Sequence, residues 1–271
     1  MFGVFAPGED VSRLIYFGLH ALQHRGQESA GIAVGDGESV TVKKDVGLVT
    51  QVFNESDLAT LTGFVGVGHT RLATGDAGDL WEAAQPHLGW IGDETIALAH
   101  NGALINGRQI RKKLMNLDIG LRSTTDSEAA AKLIGHYTQQ THVLREGITR
   151  AMEDFQGAYS MMLITPKALY AFRDPSGIRP LSLGELPDGA GYVIASETCA
   201  FDIVGATFVR DIEPGEIVKV GPEGVVNRQG LPPAERPALC IFEHVYLARP
   251  DSIMDGAAIY DARAEMGRRL A

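Results

Sequence analysis

Tyr159-Ser160-Met161-Met162-Leu163-Ile164-Thr165-Pro166-Lys167-Ala168-Leu169-Tyr170-Ala171-Phe172 reads as two apolar strands, Tyr159 to Ile164 and Ala168 to Phe172, joined across Thr165-Pro166-Lys167. Proline cannot sit inside a central strand, so the break falls there and the two runs pair as a hairpin. The same grammar recurs on both sides. Gly31 to Val34 and Val40 to Lys43 flank Gly35-Asp36-Gly37, and Phe208 to Ile212 and Glu216 to Val220 flank Glu213-Pro214-Gly215. Phe64 to Thr70, Thr95 to His100 and Tyr192 to Ser196 read as single strands.

Helical spacing appears in Ser12 to Leu22, with Ile15, Leu19 and Leu22 on one face, then in Asn106 to Met115 and about Leu144 to Phe155. Thr125-Asp126-Ser127-Glu128 has the form of a capping box and predicts a helix from about Ser127 to Gln140. Neighbouring strands with helices bunched between them predict an α+β chain with antiparallel sheets, not alternating βαβ units. Three prolines mark Asn227 to Pro237 as a linker. Beyond it, Ala238 to Pro250 reads as strand-like and Ile259 to Leu270 as a helix.

Composition bounds the function. The chain has 271 residues, 45% hydrophobic and 21% charged, with a formal net charge of -10. An acidic surface argues against nucleic-acid binding. Arg108, Arg111, Lys112 and Lys113 cluster, and a solvated helix face is the simpler reading. No apolar run approaches the roughly 20 residues of a membrane span. Met1 to Pro7 has no basic segment and no long apolar core, so it is not read as a secretory signal. Cys199 and Cys240 are the two cysteines, too few for a disulfide framework, and a reducing cytoplasm is the expected setting.

Four short motifs can carry chemistry. His100-Asn101-Gly102 ends a buried strand, where an Asn amide beside a Gly N–H could form an oxyanion hole or simply a turn. Arg71, after Gly68-His69-Thr70, could clamp a carboxylate or be a surface arginine. Asp126 could accept from a substrate amine or cap its helix. Gln23-His24-Arg25-Gly26-Gln27-Glu28 could be no more than a helix stop. Taken singly, each has a structural reading at least as good as the functional one. His24, His69 and His100 lack metal-site spacing and read as core or loop histidines.

Their order changes the weighing. Gln23 to Glu28, Gly68 to Arg71, Ala99 to Gly102 and Thr124 to Glu128 together resemble the class II glutamine amidotransferases. Phe172 to Leu181, Val209 to Glu216 and, most specifically, Ile241-Phe242-Glu243-His244-Val245-Tyr246-Leu247-Ala248-Arg249-Pro250-Asp251-Ser252 resemble amidophosphoribosyltransferases. The resemblance implies a four-layer α/β/β/α sandwich of the N-terminal nucleophile type. It implies domains at 1–226 (amidotransferase), 227–237 (linker) and 238–271 (the start of a phosphoribosyltransferase domain). It implies that an N-terminal cysteine attacks glutamine. Asn101 and Gly102 match the oxyanion donors, Arg71 the α-carboxylate clamp, Asp126 the α-amine acceptor, and Arg25 a supporting position.

The family's product is 5-phosphoribosylamine, made from glutamine and phosphoribosyl pyrophosphate in the first step of purine synthesis. Its Mg2+ accompanies phosphoribosyl pyrophosphate in a domain expected to be missing here, and homo-oligomers are expected of the full-length form. Some members hold an iron–sulfur cluster through a position matched by Cys240; a plain buried thiol, and no cofactor in this chain, is the expectation. Family members begin Cys-Gly-Val-Phe-Gly-Val-Trp-Ala-Pro-Gly, and Phe2 to Gly8 matches that run from its fourth residue. Met1 then stands where the family has Val. The chain is therefore expected to be truncated at both ends and unable to hydrolyse glutamine, with a non-catalytic glutamine- or partner-binding module as the alternative.

Overall fold

The computed structural model describes residues 1–72 and 81–271. The strands of its two large sheets, in chain order, are β1 Phe2–Phe5, β2 Ser29–Gly35, β3 Val40–Val46, β4 Val65–Arg71, β5 His87–Ile91, β6 Glu94–Leu104, β7 Gly157–Ile164, β8 Leu169–Arg173, β9 Ser182–Glu185, β10 Tyr192–Ala195, β11 Thr207–Asp211, β12 Glu216–Gly221 and β13 Gly224–Gln229, and two short strands, Ile253–Met254 and Ala257–Ala258, pair on their own. The helices are α1 Val11–Ala21, α2 Val49–Val52, α3 Glu55–Thr60, α4 Gly107–Asn116, α5 Asp126–Thr141, α6 Leu144–Asp154, α7 Cys199–Val204 and α8 Ile259–Leu270.

Two antiparallel sheets stack face to face. One has the order β11-β9-β10-β1-β4-β2-β3 and the other β13-β12-β8-β7-β6-β5. The layering follows from the two-residue period of each strand. In β1, Phe2 and Val4 point outward into a core with Ile15 and Leu19 of α1, while Phe5 points inward to Val65 and Ile194. In β6, Ile96 and Leu98 point outward to Leu133, Ile134 and Ile148 of α5 and α6, while Ala97 and Ala99 point inward to Met162. Each fully buried Phe, Val, Ile, Leu or Met side chain stabilises by about 1.5–3 kcal/mol. The result is the expected α/β/β/α sandwich.

The β2–β3 and β7–β8 hairpins form as read, Ser29 opposite Val46 and Ile164 opposite Leu169. The third expected pair does not. β11 joins β9 in the first sheet, whereas β12 joins β8 and β13 in the second. Glu213-Pro214-Gly215 therefore carries the chain from one sheet to the other. The crossing is fixed by Gly215 N–H donating to Asp174 O at 3.1 Å and by the bidentate pairing of Arg210 with Glu216 at 2.7 and 2.8 Å.

The segment from Ala238 to Pro250 is not strand-like. Glu243–Leu247 forms a π-helical turn, with Ala248 N–H donating to Glu243 O at 3.0 Å. Ile241 and Val245 sit four residues apart, a helical spacing, and Glu243 turns inward, fully buried between Arg25 and Arg179. The expected linker also differs. Asn227 to Gln229 complete β13, opposite Glu216 to Val218. Farther on, Ala234, Ala238 and Cys240 donate their N–H groups to Pro175, Ser176 and Ile178. Cys240 is half-buried, not buried. No helix among the described residues is long and apolar enough to cross a membrane.

Candidate active site

β6 positions the site because its neighbour stops short. β5 pairs with it only as far as His87 opposite Leu98, leaving the edge from Ala99 to Leu104 open on that side. On the other side β7 stays in register, Asn101 opposite Ser160 and Gly102 opposite Tyr159. Backbone N–H groups alternate between the two edges of an antiparallel strand. His100 N–H and Leu104 N–H both face the open edge, donating to Gln85 Oε1 at 2.7 Å and Asp126 Oδ2 at 2.8 Å. Ile105 N–H, of the other parity, donates to Gln156 O. The Gly102 N–H therefore faces the open edge, between the two occupied ones.

Only glycine fits at 102. Its φ is +143°, and a Cβ there would overlap the carbonyl oxygen of Ala158. The side-chain amide Nδ2 of Asn101 is buried and has no hydrogen-bond partner among the described residues. An orphaned buried donor costs about 1–3 kcal/mol, and a ligand acceptor would remove that cost. A cavity of about 800 Å³ opens in front of both groups.

Asp126 begins α5. The helix cap is its neighbour Thr125, whose hydroxyl accepts from Glu128 N–H at 3.3 Å. The expected reciprocal half of the box is missing, since the Glu128 carboxylate accepts instead from Arg122 N–H at 2.8 Å and Ser123 N–H at 2.6 Å. Asp126 is thus free of capping and faces the cavity, 3.7 Å from His100 Nδ1. Burial alone would raise its pKa; His100 and the N–H groups of Leu104 and Ser127 hold it well below the usual carboxylate range. It is a fixed negative charge at neutral pH. Arg71, at the end of β4, is half-buried and lines the same cavity. An anionic acceptor, a cation and two neutral donors thus share one hollow, a set suited to an amino acid with a side-chain carbonyl.

Arg25 also reaches the cavity wall, but its guanidinium is engaged elsewhere. It pairs with Glu197, and donates to Glu243 at 2.8 and 2.9 Å. Burial would lower its pKa; the carboxylates of Glu243 and Glu197 raise it. Arg108 and Arg111 turn to the cavity as well, Arg111 donating to Ser123 O at 2.6 Å, while Lys112 stays on the solvated face. Met1 sits buried in the wall, its amine donating to Ser196 Oγ at 3.2 Å. Neither cysteine lines the cavity, and burial pushes the Cys199 thiol up to about 12. Among the described residues no group of three or more His, Cys, Asp or Glu could hold a metal.

His69 and Gln85 escaped the reading of the sequence as site residues. Both touch the backbone of His100, His69 Nε2 donating to His100 O at 3.0 Å. Burial lowers the His69 pKa well below its ordinary value, so the ring is neutral. Gln85 lies just ahead of Pro86 and β5, and nothing in that local sequence marks its carboxamide for the backbone of His100.

Comparison with known proteins places the fold. Residues 69–202 match a family described as "Glutamine amidotransferase domain". The whole chain is 48% identical to the amidophosphoribosyltransferase of Mycobacterium bovis, covering 51% of that protein. A solved structure of "the allosteric regulatory enzyme of purine biosynthesis" superposes with a TM-score of 0.91 at 39% identity, over all of this chain and 57% of that one. The glutamine phosphoribosylpyrophosphate amidotransferase of B. subtilis, complexed with ADP and GMP, gives 0.88 at 38% identity, over 99% of this chain and 57% of that one. Fold and site thus define a glutamine amidotransferase domain of the N-terminal nucleophile type. Over its whole length the chain is similar to amidophosphoribosyltransferases, and it spans about half the length of the curated relatives it matches.

Proposed function

We propose that this domain binds free glutamine in the cavity beside β6. In this reading Arg71 clamps the α-carboxylate, Asp126 accepts from the α-amine, and the Asn101 amide and Gly102 N–H receive the side-chain carbonyl. Reading both charges on the α-carbon selects free glutamine over peptides and simple amides. Arg25 supports the wall through Glu197 and Glu243 without touching the ligand. The observation that carries the reading is the orphaned Asn101 donor beside the open Gly102 edge, with Asp126 one ladder position away.

As part of a protein like its relatives, the domain would supply ammonia for 5-phosphoribosylamine. The other half of such a protein would bind phosphoribosyl pyrophosphate with Mg2+, in a cytoplasmic homo-oligomer. The 271 residues put no thiol at the cavity, so by themselves they recognise glutamine without cleaving it. That same observation favours the second reading, a non-catalytic binding module.

Isothermal titration tests the reading. Glutamine is expected to bind, and Arg71→Ala to weaken it about tenfold or more, the worth of a charge-assisted contact. No heat at millimolar glutamine, or unchanged binding in Arg71→Ala, sinks it. A glutaminase assay of the same chain is expected to show no turnover above background; robust glutamate release would overturn that part.

A further inference from the structure

If Asn101 and Gly102 receive the side-chain carbonyl, as proposed above, both donors must be held in place. β5 leaves β6 after Leu98, yet the backbone at His100 is buried and needs partners on the vacated side. A side-chain carboxamide carries the same donor and acceptor as a peptide group. Gln85 uses both: its Oε1 accepts from His100 N–H at 2.7 Å and its Nε2 donates to His100 O at 3.2 Å. One side chain thus stands in for the next residue pair of the absent strand.

Gln85 is itself held from the other sheet. A Cβ at Gly31 in β2 would overlap the Gln85 carbonyl oxygen, so the glycine gives the Gln85 backbone its seat. Lys44 in β3 donates its Nζ to the carbonyl of Ala84, the residue before. His69, from β4, adds its donation to the same His100 oxygen. β4 thus reaches the His100 peptide directly, and β2 and β3 reach it through the Gln85 segment, two residues ahead of Gly102.

We propose that Gln85 is the positioning residue for the Asn101 and Gly102 donors: by completing the ladder at His100, it fixes the direction in which the next N–H on that edge points. Gln85 touches no ligand in this account. Its loss leaves the α-carbon contacts of Arg71 and Asp126 intact and loosens only the recognition of the side-chain carbonyl.

Norvaline carries the α-carbon groups of glutamine and no side-chain carbonyl, so the pair separates the two ends of the site. Both are titrated into the 271-residue chain, into Gln85→Leu, and into Gln85→Glu, which keeps the acceptor for His100 N–H but loses the donor. Gln85→Leu is expected to weaken glutamine about tenfold and to leave norvaline within about twofold, with Gln85→Glu between. An equal loss for both ligands, or no loss, overturns the proposal. Should the unsubstituted chain bind neither ligand, the glutamine reading fails. Positioning is then decided by hydrogen exchange: the His100 amide should exchange about tenfold faster in Gln85→Leu with Leu98 unchanged, and equal protection overturns it. Should Gln85→Leu not fold, Gln85→Glu carries the same two readouts.

Discussion

Two buried polar clusters face the same cavity, and they are satisfied in opposite ways. Around Arg25, every carboxylate is matched; the leftover donor there is Arg179 Nε, on a guanidinium that already pairs with Glu243. Glu197 accepts from Arg25, His24, the Arg249 N–H and Ser252 Oγ, and Glu243 accepts from Arg25 through both oxygens. Around Asn101, atoms are left over: Asn101 Nδ2, His69 Nδ1 and His100 Nε2 are buried without partners among the described residues. Saturation marks a part that holds the molecule together. Leftover valence marks a part kept for something else. Both clusters include residues that the sequence nominated for the site, and only their hydrogen-bond accounts tell the two roles apart.

The contrast can be broken by substitution. The largest effect is expected for Arg25→Met, which strands two buried carboxylates and should destabilise by about 3–5 kcal/mol, read by urea denaturation. A loss under about 1 kcal/mol would show that the cluster is not the clamp described. Acid probes the same wall. Burial alone would raise the Glu197 pKa, but His24 and Arg25 lower it from 4.5 to about 2. A depressed carboxyl stabilises fully above its unfolded value and loses that contribution as pH falls through its folded one. Stability is therefore expected to fall between about pH 4.5 and about pH 2, and a Glu197→Gln variant should show a flatter profile there.

Smaller effects belong to the other wall. Gly102→Ala must accommodate a Cβ against Ala158 and a strained φ, costing about 1–3 kcal/mol and abolishing glutamine binding. Binding retained at full strength would separate Gly102 from recognition. The smallest stability change is expected for Asn101→Ala, within about 0.5 kcal/mol or slightly stabilising, because an orphaned donor is removed. Its glutamine affinity should nevertheless fall about tenfold. If Asn101→Ala instead costs as much as Arg25→Met, the distinction between the clusters collapses.

How much of this could be read beforehand depended on distance along the chain. The β7–β8 hairpin was legible because Pro166 and the flanking apolar runs are local facts. So was the start of α5, where Thr125 caps its own helix. The Glu213-Pro214-Gly215 turn looked the same as a hairpin, and only Asp174, some forty positions earlier, makes it a crossing. The turn at Glu243–Leu247 has the apolar look of a strand, because its organising partner, Arg25, lies at the far end of the sequence. Of the nominated site residues, Arg71, Asn101, Gly102 and Asp126 do meet in one cavity. Gln85 stayed hidden, since nothing local shows that a side chain will do the work of a strand.

The early end of β5 has a consequence for what this hollow is. A sheet is a row of slots, each shaped for one peptide group, and here the row is interrupted after one slot has been plugged by Gln85. The next vacant slot, at Gly102, fits a planar amide because it was built for one. In the proposed complex a side-chain carboxamide would enter as a counterfeit peptide bond, completing the fold's own backbone pattern. Discrimination among amides would then fall to whatever grips the far end of the guest, where Arg71 and Asp126 stand.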